Sequence, residues 1–349
     1  MRNELVALAY GMWDHIKNSG TVENADYWDL EFIGFLPGKR ASRRMVGPLI
    51  MNQRDVMSGG IFPDVIAYGG WPLDDHHPGG FFHPGAPNIE VNTPAPYGIP
   101  YRCLNSVNIS NLFFAGRNIS MTHQAMSSTR VMATCAILGQ AVGTAASIAV
   151  REGLTPAGVG AERIGLLQQM LMEDGCFLPG LRRKLPREAL EAELSCTFPA
   201  EGLENLRNGA DRNNRTYGDA EQGCTVRRGS TVTYRFSAPW KPELIHIAFD
   251  SDLDRDTLPG SEFERYHSMR ANILPDAPVM HLPLTLPKAF TVSAMTAGGE
   301  TVVLMHAEEN CRPVINLIPE VSLTQVSLTV EETWLGTPET VHIFSFDLR

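Results

Sequence analysis

The residues of this chain with the richest chemistry lie between Ala115 and Ala146, in the stretch AGRNISMTHQAMSSTRVMATCAILGQAVGTAA. A glycine turn is followed by polar and basic residues, and then by apolar residues that repeat at helical spacing from Val131 to about Arg151. The amino end of such a helix offers unpaired backbone N–H groups and about half a positive charge, which can stabilise a phosphate or another electron-rich group. A plain buried helix after a tight turn is the alternative.

A second cluster of titratable residues is Asp74-Asp75-His76-His77, within a stretch dense in glycine and proline. Adjacent histidines on an extended backbone point in different directions, so the pattern disfavours a metal site. Histidine is the commonest general acid or base in proteins, and His76, His77 and His123 are the candidates for such a catalytic role. A loop histidine that is solvated or tied to Asp74 is the alternative.

Arg40, Arg43 and Arg44 form a basic patch within an apolar neighbourhood. Guanidinium groups bind carboxylates and phosphates through paired hydrogen bonds, which predicts a substrate or phosphate contact. A structural network of ion pairs with Asp55 and Asp64 is an equal alternative.

Composition limits the classes of partner. The 349 residues are 43% hydrophobic and 19% charged, as in a soluble globular protein, and the formal net charge is −10. This charge argues against nucleic acid or an anionic membrane surface as the main partner. Residues 1–155 hold 11 Lys/Arg and 12 Asp/Glu, which leaves 18 and 27 for the remainder and predicts two different modules. Six scattered cysteines without a CxxC pair give a zinc or iron–sulfur site little support.

The elements that must position these residues follow from periodicity and from turn residues. We expect helices over Glu4–Lys17, Val131–Arg151 and Ala161–Glu173, strands over 31–36 and Asn111–Gly116, and a long ordered loop over 58–101. After Ser195, short alternating segments separated by turn residues predict an antiparallel β-sandwich, with strands over Thr231–Phe236, Leu244–Phe249, Thr301–Met305 and Val341–Phe346. The predicted fold class is therefore α/β plus all-β, with domains over residues 1–180 and 190–349.

Residues 115–146, together with the blocks PGKRASRRMVGPLIMNQRDV (37–56), FPDVIAYGGWPLDDHHP (62–78) and YGIPYRCLNSVNISNLFFAGR (97–117), resemble FAD-dependent oxidoreductases. The resemblance covers roughly residues 30–155 and implies FAD as the cofactor. It implies cofactor contacts from Gly116, Arg117, Ser120, Ser128, Arg130, Ala133 and Thr134. It also places the loop around Asp74 on the substrate side, so that substrate contacts are expected from Arg43, Arg44, Trp71, Asp74 and Tyr101.

These enzymes bind FAD through an early G-x-G-x-x-G loop, and this sequence contains no such loop. The chain also opens directly on a helical pattern, so we expect it to begin in mid-architecture. The missing amino-terminal FAD-binding half is then a further segment or a separate chain. The localisation stays open between cytoplasm and periplasm.

Residues 195–349 resemble a galactose-binding-like jelly roll more weakly, through ENLRNGADRNNRTYGDA, TVTYRFSAPWKPELIHIAFDSDLD and VHIFSFDLR. A structural or weakly binding role is favoured for this sandwich, and DSDLDRD is read as a solvated acidic loop rather than a calcium site. The implied function is oxidation of an alcohol carbon of a sugar or glycoside by hydride transfer to FAD. The alternatives are a non-catalytic fragment whose sandwich binds carbohydrate, and a flavoprotein that reduces activated alkenes.

Overall fold

The computed structural model describes residues 2–34, 43–77, 79–94, 96–213, 222–252, 282–283, 285–334 and 339–349. The chain divides into two compact units, Met1–Arg44 and Met45–Arg349. The predicted first helix is confirmed as α1 (Arg2–Asn18) in the smaller unit. Lys17, in its last turn, donates to the carbonyl oxygens of Ala25 and Trp28 at 3.2 and 2.7 Å, which ties α1 to the segment that follows. The strand predicted over 31–36 is wrong for 31–34, which form no strand, and 35–36 lie outside the described residues.

The first part of the larger unit combines short strands with helices. The helices are α2 (Gln53–Met57), α3 (His123–Thr129), α4 (Met132–Glu152), α5 (Pro156–Glu162) and α6 (Ile164–Glu173). The strands are β1 (Val65–Gly69), β2 (Leu73–His76), β3 (Asn88–Val91) and β4 (Tyr97–Pro100), and they pair antiparallel as β1–β4 and β2–β3. The helix predicted over Val131–Arg151 is confirmed, and the one over Ala161–Glu173 is divided at Arg163 into α5 and α6.

The glycine- and proline-rich stretch 58–101 is more regular than the predicted loop, because its turns bring four short strands into two pairs. Gly60 and Gly98 allow the closest approach: a Cβ at Gly60 would overlap the Gly98 carbonyl oxygen, and Gly60 has a φ of +59°. The strand predicted over Asn111–Gly116 is wrong. This segment contains only an isolated bridge between Phe113 and Asn105, because a turn at its start and the glycine at its end leave too few residues for a ladder.

The carboxyl-terminal part is the predicted β-sandwich. It follows α7 (Arg187–Glu191) and contains β5 (Glu193–Cys196), β6 (Cys224–Arg227), β7 (Thr231–Trp240), β8 (Ile245–Phe249), β9 (Pro287–Thr296), β10 (Thr301–Ala307), β11 (Val314–Leu317), β12 (Leu323–Thr333) and β13 (Thr340–Leu348). One sheet has the order β10-β9-β12-β7-β5, and the other has the order β11-β8-β13-β6. The Tyr234 and Phe346 rings meet edge to face across the two sheets at 5.4 Å. All four strands predicted for this region are confirmed.

Separate hydrophobic cores fill the two parts of the larger unit, one over residues 51–178 and the other over residues 189–348. The domain boundaries at 180 and 190 stay a prediction. Between the cores, Arg183 has a side chain that is only 1% exposed. Its guanidinium donates to Asp347 at 2.7 Å, to Asp211 at 2.5 Å and to the Ser345 hydroxyl at 2.9 Å. The connection between the two cores is therefore pinned to the sandwich by a buried network of charges.

Candidate functional site

The candidate site is built on α3, a helix of seven residues with one face in the core. Thr122 caps its amino end, with its hydroxyl oxygen accepting from the Ala125 N–H at 3.4 Å. Residues 125–129 are buried, whereas His123 at the first position is exposed. The hairpin of β2 and β3 packs against this helix. The helix therefore presents His123 to solvent from a rigid base.

His123 forms a close pair with a carboxylate of the hairpin. Its Nε2 lies 2.7 Å from Oδ1 of Asp75, and the two side chains are 46% and 38% exposed. A carboxylate that accepts from one ring nitrogen of a histidine sets the tautomer and the orientation of the ring. A general base requires a ring that is oriented in this way.

The neighbouring carboxylate, Asp74, holds the other end of the same helix. Arg130, directly after α3, donates from Nη2 to Oδ2 of Asp74 at 3.0 Å, and both side chains are 18% exposed. Asn88 on β3 donates to the other carboxylate oxygen of Asp74 at 3.1 Å. Asp74 and Arg130, predicted as substrate and cofactor contacts, therefore brace the hairpin against the helix.

A third set of contacts is made by the buried side chain of Ser128. The Ser128 hydroxyl donates to the carbonyl oxygen of Trp71 and lies 2.5 Å from the Tyr97 hydroxyl. Burial raises the pKa of Tyr97 to about 12, although the bond with Ser128 opposes that rise. The Ser128 side chain is thus used to fix the start of the hairpin to α3, and its predicted contact with a cofactor stays a prediction.

The other two candidate bases have different partners. His76 is exposed at the end of β2. His77 accepts at Nδ1 from the Gly79 N–H at 3.0 Å and stacks on the His83 ring at 3.5 Å. Of these three histidines, all in the described part of the chain, His123 is the one with a carboxylate at hydrogen-bonding distance, which makes it the strongest candidate for a base.

The predicted cofactor residues fall into an accessible and a buried group. Gly116 adopts a φ of +94°, which only glycine adopts readily, and the Arg117 side chain that follows is exposed. The amino end of α4 has no side-chain cap on Val131, and Met132 and Ala133 there are exposed. Ser120 and Thr134 are buried. The uncapped helix end predicted from the sequence is therefore present and accessible.

The predicted substrate residues are dispersed. Arg43 is exposed and Arg44 is half-buried, and both belong to the smaller unit. Tyr101 is 1% exposed and donates its hydroxyl to the Pro156 carbonyl oxygen at 2.6 Å, so it packs in the core here. Their contacts with substrate stay predictions.

Asp64 and Asp55, the ion-pair partners expected for the basic patch, accept hydrogen bonds from other residues. Asp64 pairs with Arg102, whose Nε and Nη2 donate to its two carboxylate oxygens at 2.9 and 3.0 Å. Asp55 accepts from the Asn52 N–H in a capping box of α2. The ion pairs expected from Arg43 and Arg44 stay a prediction, and Arg40 lies outside the described residues.

Sequence reasoning missed Asp75 as a functional residue, although it stood in the cluster that drew attention. Alternation along β2 was the available signal, since successive side chains of a strand point to different faces and must have different partners. Only the position of the hairpin against α3 shows that Asp75 reaches His123 while Asp74 reaches Arg130.

Helix α4 adds a second accessible surface. No charged residue occurs between Met132 and Val150, and a Cβ added at Gly139 or Gly143 would meet no heavy atom within 4 Å. The helix is long and apolar enough to cross a membrane by length and composition, which core helices of globular proteins also satisfy. Its other face packs against β1, α5 and α6, and only 33% of its most apolar window is buried. An uncharged, small-residue face is therefore open on a helix whose opposite face is in the core.

Residues 1–171 match the family model described as FAD dependent oxidoreductase. The match covers just under half of the 349-residue chain. The match includes α3, α4 and both hairpin carboxylates, so the His123–Asp75 pair lies inside the oxidoreductase segment. The match confirms the resemblance seen in the sequence, and the matched family implies a flavin cofactor.

The chain is also similar to solved structures over its carboxyl-terminal part. It shares 15% identity with the family 32 carbohydrate-binding module from Streptococcus pneumoniae EndoD, which covers 46% of this chain and 95% of that chain with a TM-score of 0.31. It shares 11% identity with a GH31 CBM32-2 module bound to GalNAc; the match covers 45% of this chain and 97% of that chain, with a TM-score of 0.30. It shares 8% identity with chitosan-binding module 1 of a Paenibacillus sp. IK-5 chitosanase/glucanase; the match covers 46% of this chain and 96% of that chain, with a TM-score of 0.29. No curated protein matches the chain.

The accessible residues of the oxidoreductase segment fit part of a flavin. The uncapped amino end of α4 suits the electron-rich edge of a flavin ring, since its backbone N–H groups carry partial positive charge. The left-handed turn at Gly116 followed by exposed Arg117 suits a phosphate. The segment can therefore form one side of a flavin site.

Proposed function

We propose that this chain forms one wall of the active site of a flavin-dependent oxidoreductase that oxidises an alcohol carbon of a sugar or glycoside. The observation that carries the proposal is the His123–Asp75 pair, with 2.7 Å between Nε2 and Oδ1, on an exposed helix end inside the oxidoreductase segment. Alcohol oxidation requires a base for the hydroxyl proton, and a histidine oriented by a carboxylate is suited to that task.

FAD, when bound, supplies the acceptor for the hydride that leaves the substrate carbon. His123 accepts the hydroxyl proton, and the Asp75 carboxylate stabilises the imidazolium that results. The Arg130–Asp74 ion pair and the Ser128–Trp71 hydrogen bond keep the hairpin against α3, so the base does not move away from the substrate. The chain's contribution is to hold and move a proton at a fixed position.

The residues proposed to hold the flavin are the backbone of Met132 and Ala133 at the amino end of α4, together with Gly116 and Arg117. Helix α3 has seven residues and spans about 10 Å, and only Arg130 and Val131 separate it from α4. His123 and the amino end of α4 are therefore close enough to serve a single bound cofactor.

The open face of α4 is proposed to dock the FAD-binding half that carries the G-x-G-x-x-G loop. Gly139 and Gly143 lie one turn apart, and a stripe of small residues allows another backbone to approach closely. The absence of charge from Met132 to Val150 favours an apolar partner, because buried charges without partners are costly. The phosphate-binding loop of the cofactor site is then contributed by that half.

Reconstitution tests this assignment. We expect the 349-residue chain alone to lose FAD on gel filtration, and to retain it in a stable complex when co-expressed with an adjacent reading frame that carries G-x-G-x-x-G. Gly143→Leu should abolish the complex, whereas Gly165→Leu, the same change at an exposed position of α6 with open space around it, should not. Stoichiometric FAD on the isolated chain, or binding of α4 to lipid vesicles in place of that half, would contradict the proposal.

The substrate class is tested on the assembled flavoprotein under anaerobic conditions. A panel of sugars and glycosides should bleach the flavin absorbance, and His123→Gln should slow this reduction by on the order of 10²- to 10⁴-fold. Reduction by none of the sugars, with turnover of activated alkenes instead, would replace alcohol oxidation by alkene reduction.

For the sandwich we propose a bracing role. Asn316 on β11 donates to the Glu173 carbonyl oxygen at 2.8 Å, and Arg349 lies 3.1 Å from the Glu173 carboxylate at the end of α6. These contacts join the sandwich directly to the oxidoreductase segment. Deletion of residues 190–349 should therefore make the remaining segment insoluble, and a soluble, folded residue 1–180 fragment would refute the bracing role.

A further inference from the structure

We infer that Asp75 is the positioning residue that fixes His123 in the tautomer with its proton on Nε2, so that Nδ1 is the nitrogen that takes the substrate proton. The inference rests on the proposed oxidation chemistry and adds to it the identity of the reacting atom. It depends on one distance, 2.7 Å between Nε2 and Oδ1, and on the support given to both side chains.

An ionised carboxylate can only accept hydrogen bonds. The Nε2 atom of His123 must therefore carry the hydrogen in the bond to Asp75, and the lone pair of the neutral ring is then on Nδ1. If Asp75 were absent, both tautomers would be available and the ring would lose this constraint on its orientation. The carboxylate thus decides which ring nitrogen is basic and where that nitrogen points.

The hairpin explains why Asp75, and not Asp74, has this role. Asp74 already receives two hydrogen bonds, from Arg130 at 3.0 Å and Asn88 at 3.1 Å, and is 18% exposed. Asp75 is 38% exposed, faces the helix end and pairs there with His123. One hairpin therefore holds both ends of α3, with one carboxylate for the brace and the other for the base.

The proton and electron balance is complete with FAD as the oxidant. The substrate O–H bond would break with its proton passing to Nδ1 of His123, the C–H bond would break with bound FAD as the hydride acceptor, and a C=O bond would form. The Asp75 carboxylate would stabilise the positive charge that develops on the ring. Regeneration of the base requires only loss of the Nδ1 proton to solvent.

Tautomer measurement by ¹⁵N NMR on the full 349-residue chain tests the inference without any cofactor. With ¹⁵N-labelled histidine, and His123 assigned from the signal lost in His123→Gln, the neutral ring should show a protonated Nε2 and an unprotonated Nδ1. Asp75→Ala should shift both nitrogens towards intermediate values, because the two tautomers then exchange. Glu90→Ala removes a carboxylate from the opposite strand of the same hairpin and should leave the His123 signals unchanged.

Asp75→Leu has a similar side-chain volume without a hydrogen-bond acceptor, and it serves if Asp75→Ala disturbs the hairpin. A protonated Nδ1 in the unmodified chain, or identical His123 signals with and without the Asp75 carboxylate, would overturn the inference. In the assembled flavoprotein, Asp75→Ala should lower kcat by at least about tenfold with little change in KM, whereas Glu90→Ala should not. An altered tautomer with unchanged kcat would overturn the catalytic role while leaving the geometry intact; failure of all sugars to reduce the flavin bears instead on the proposed function.

Discussion

Replacement of Arg183 by methionine should be the most damaging single change in the charged network between the two cores. The Arg183 side chain is 1% exposed and donates hydrogen bonds to Asp347 at 2.7 Å, to Asp211 at 2.5 Å and to the Ser345 hydroxyl at 2.9 Å. Methionine has a similar length but no donor. The substitution leaves two carboxylates buried without their cation, and breaking a buried pair in this way costs about 3–5 kcal/mol. For a domain of this size the Tm should fall by on the order of 10 °C.

The effect should depend on pH with a defined sign. Burial alone would raise the pKa of Asp211, but the Arg183 charge, aided by His246, outweighs burial and holds that pKa well below its usual value. A lowered carboxyl pKa stabilises the folded state above about pH 4 and is lost as the pH falls towards the folded value. Without Arg183 the burial remains and the pKa of Asp211 should rise. The stability difference between the two proteins should therefore be largest near pH 7 and narrow below about pH 5.

Urea unfolding followed by tryptophan fluorescence at both pH values measures this difference. Arg187→Met is the matched control, because Arg187 is 82% exposed and pairs with Glu191 on the same helix, where solvent screens the contact and leaves it little effect on stability. Arg183→Met/Asp347→Asn should recover part of the loss, since the double change removes one of the stranded charges. A loss below about 1 kcal/mol at pH 7, or a difference that does not narrow in acid, would refute the reasoning.

Three further predictions concern single positions. The pKa of Tyr97 is raised to about 12, so its contribution to the free energy of unfolding is complete below about pH 10 and is lost, by about 2 kcal/mol, as the pH rises through 12. Tyr97→Phe should therefore flatten the alkaline fall of the Tm in a pH titration. Gly139→Ala should stabilise the isolated chain by about 0.5–1 kcal/mol in urea unfolding, because open space surrounds this helical position. Gly60→Ala should cost about 1–3 kcal/mol and more than Gly59→Ala, since both residues have positive φ but only Gly60 meets a backbone oxygen; equal losses would contradict the clash.

Local patterns were sufficient for the elements whose periodicity is long. α1, α4 and the alternating strands of the sandwich follow from the spacing of apolar residues, because each buries one face against a core regardless of what lies on the other side. The predictions from local patterns were wrong for short elements. The Phe113 segment forms one bridge in place of a strand, and the 58–101 stretch forms paired strands in place of a loop, because pairing in such short runs depends on distant partners.

By itself, the sequence determined which residue types were available for chemistry, the resemblance of the first 171 residues to FAD-dependent oxidoreductases and the character of the second part as a sandwich. Tertiary structure alone decided their partners. His123 and Asp75 are 48 residues apart, and Arg183 and Asp347 are 164 residues apart. A hydrogen bond acts over about 3 Å, so its existence depends on how strands and helices pack, which residue spacing along the chain does not encode.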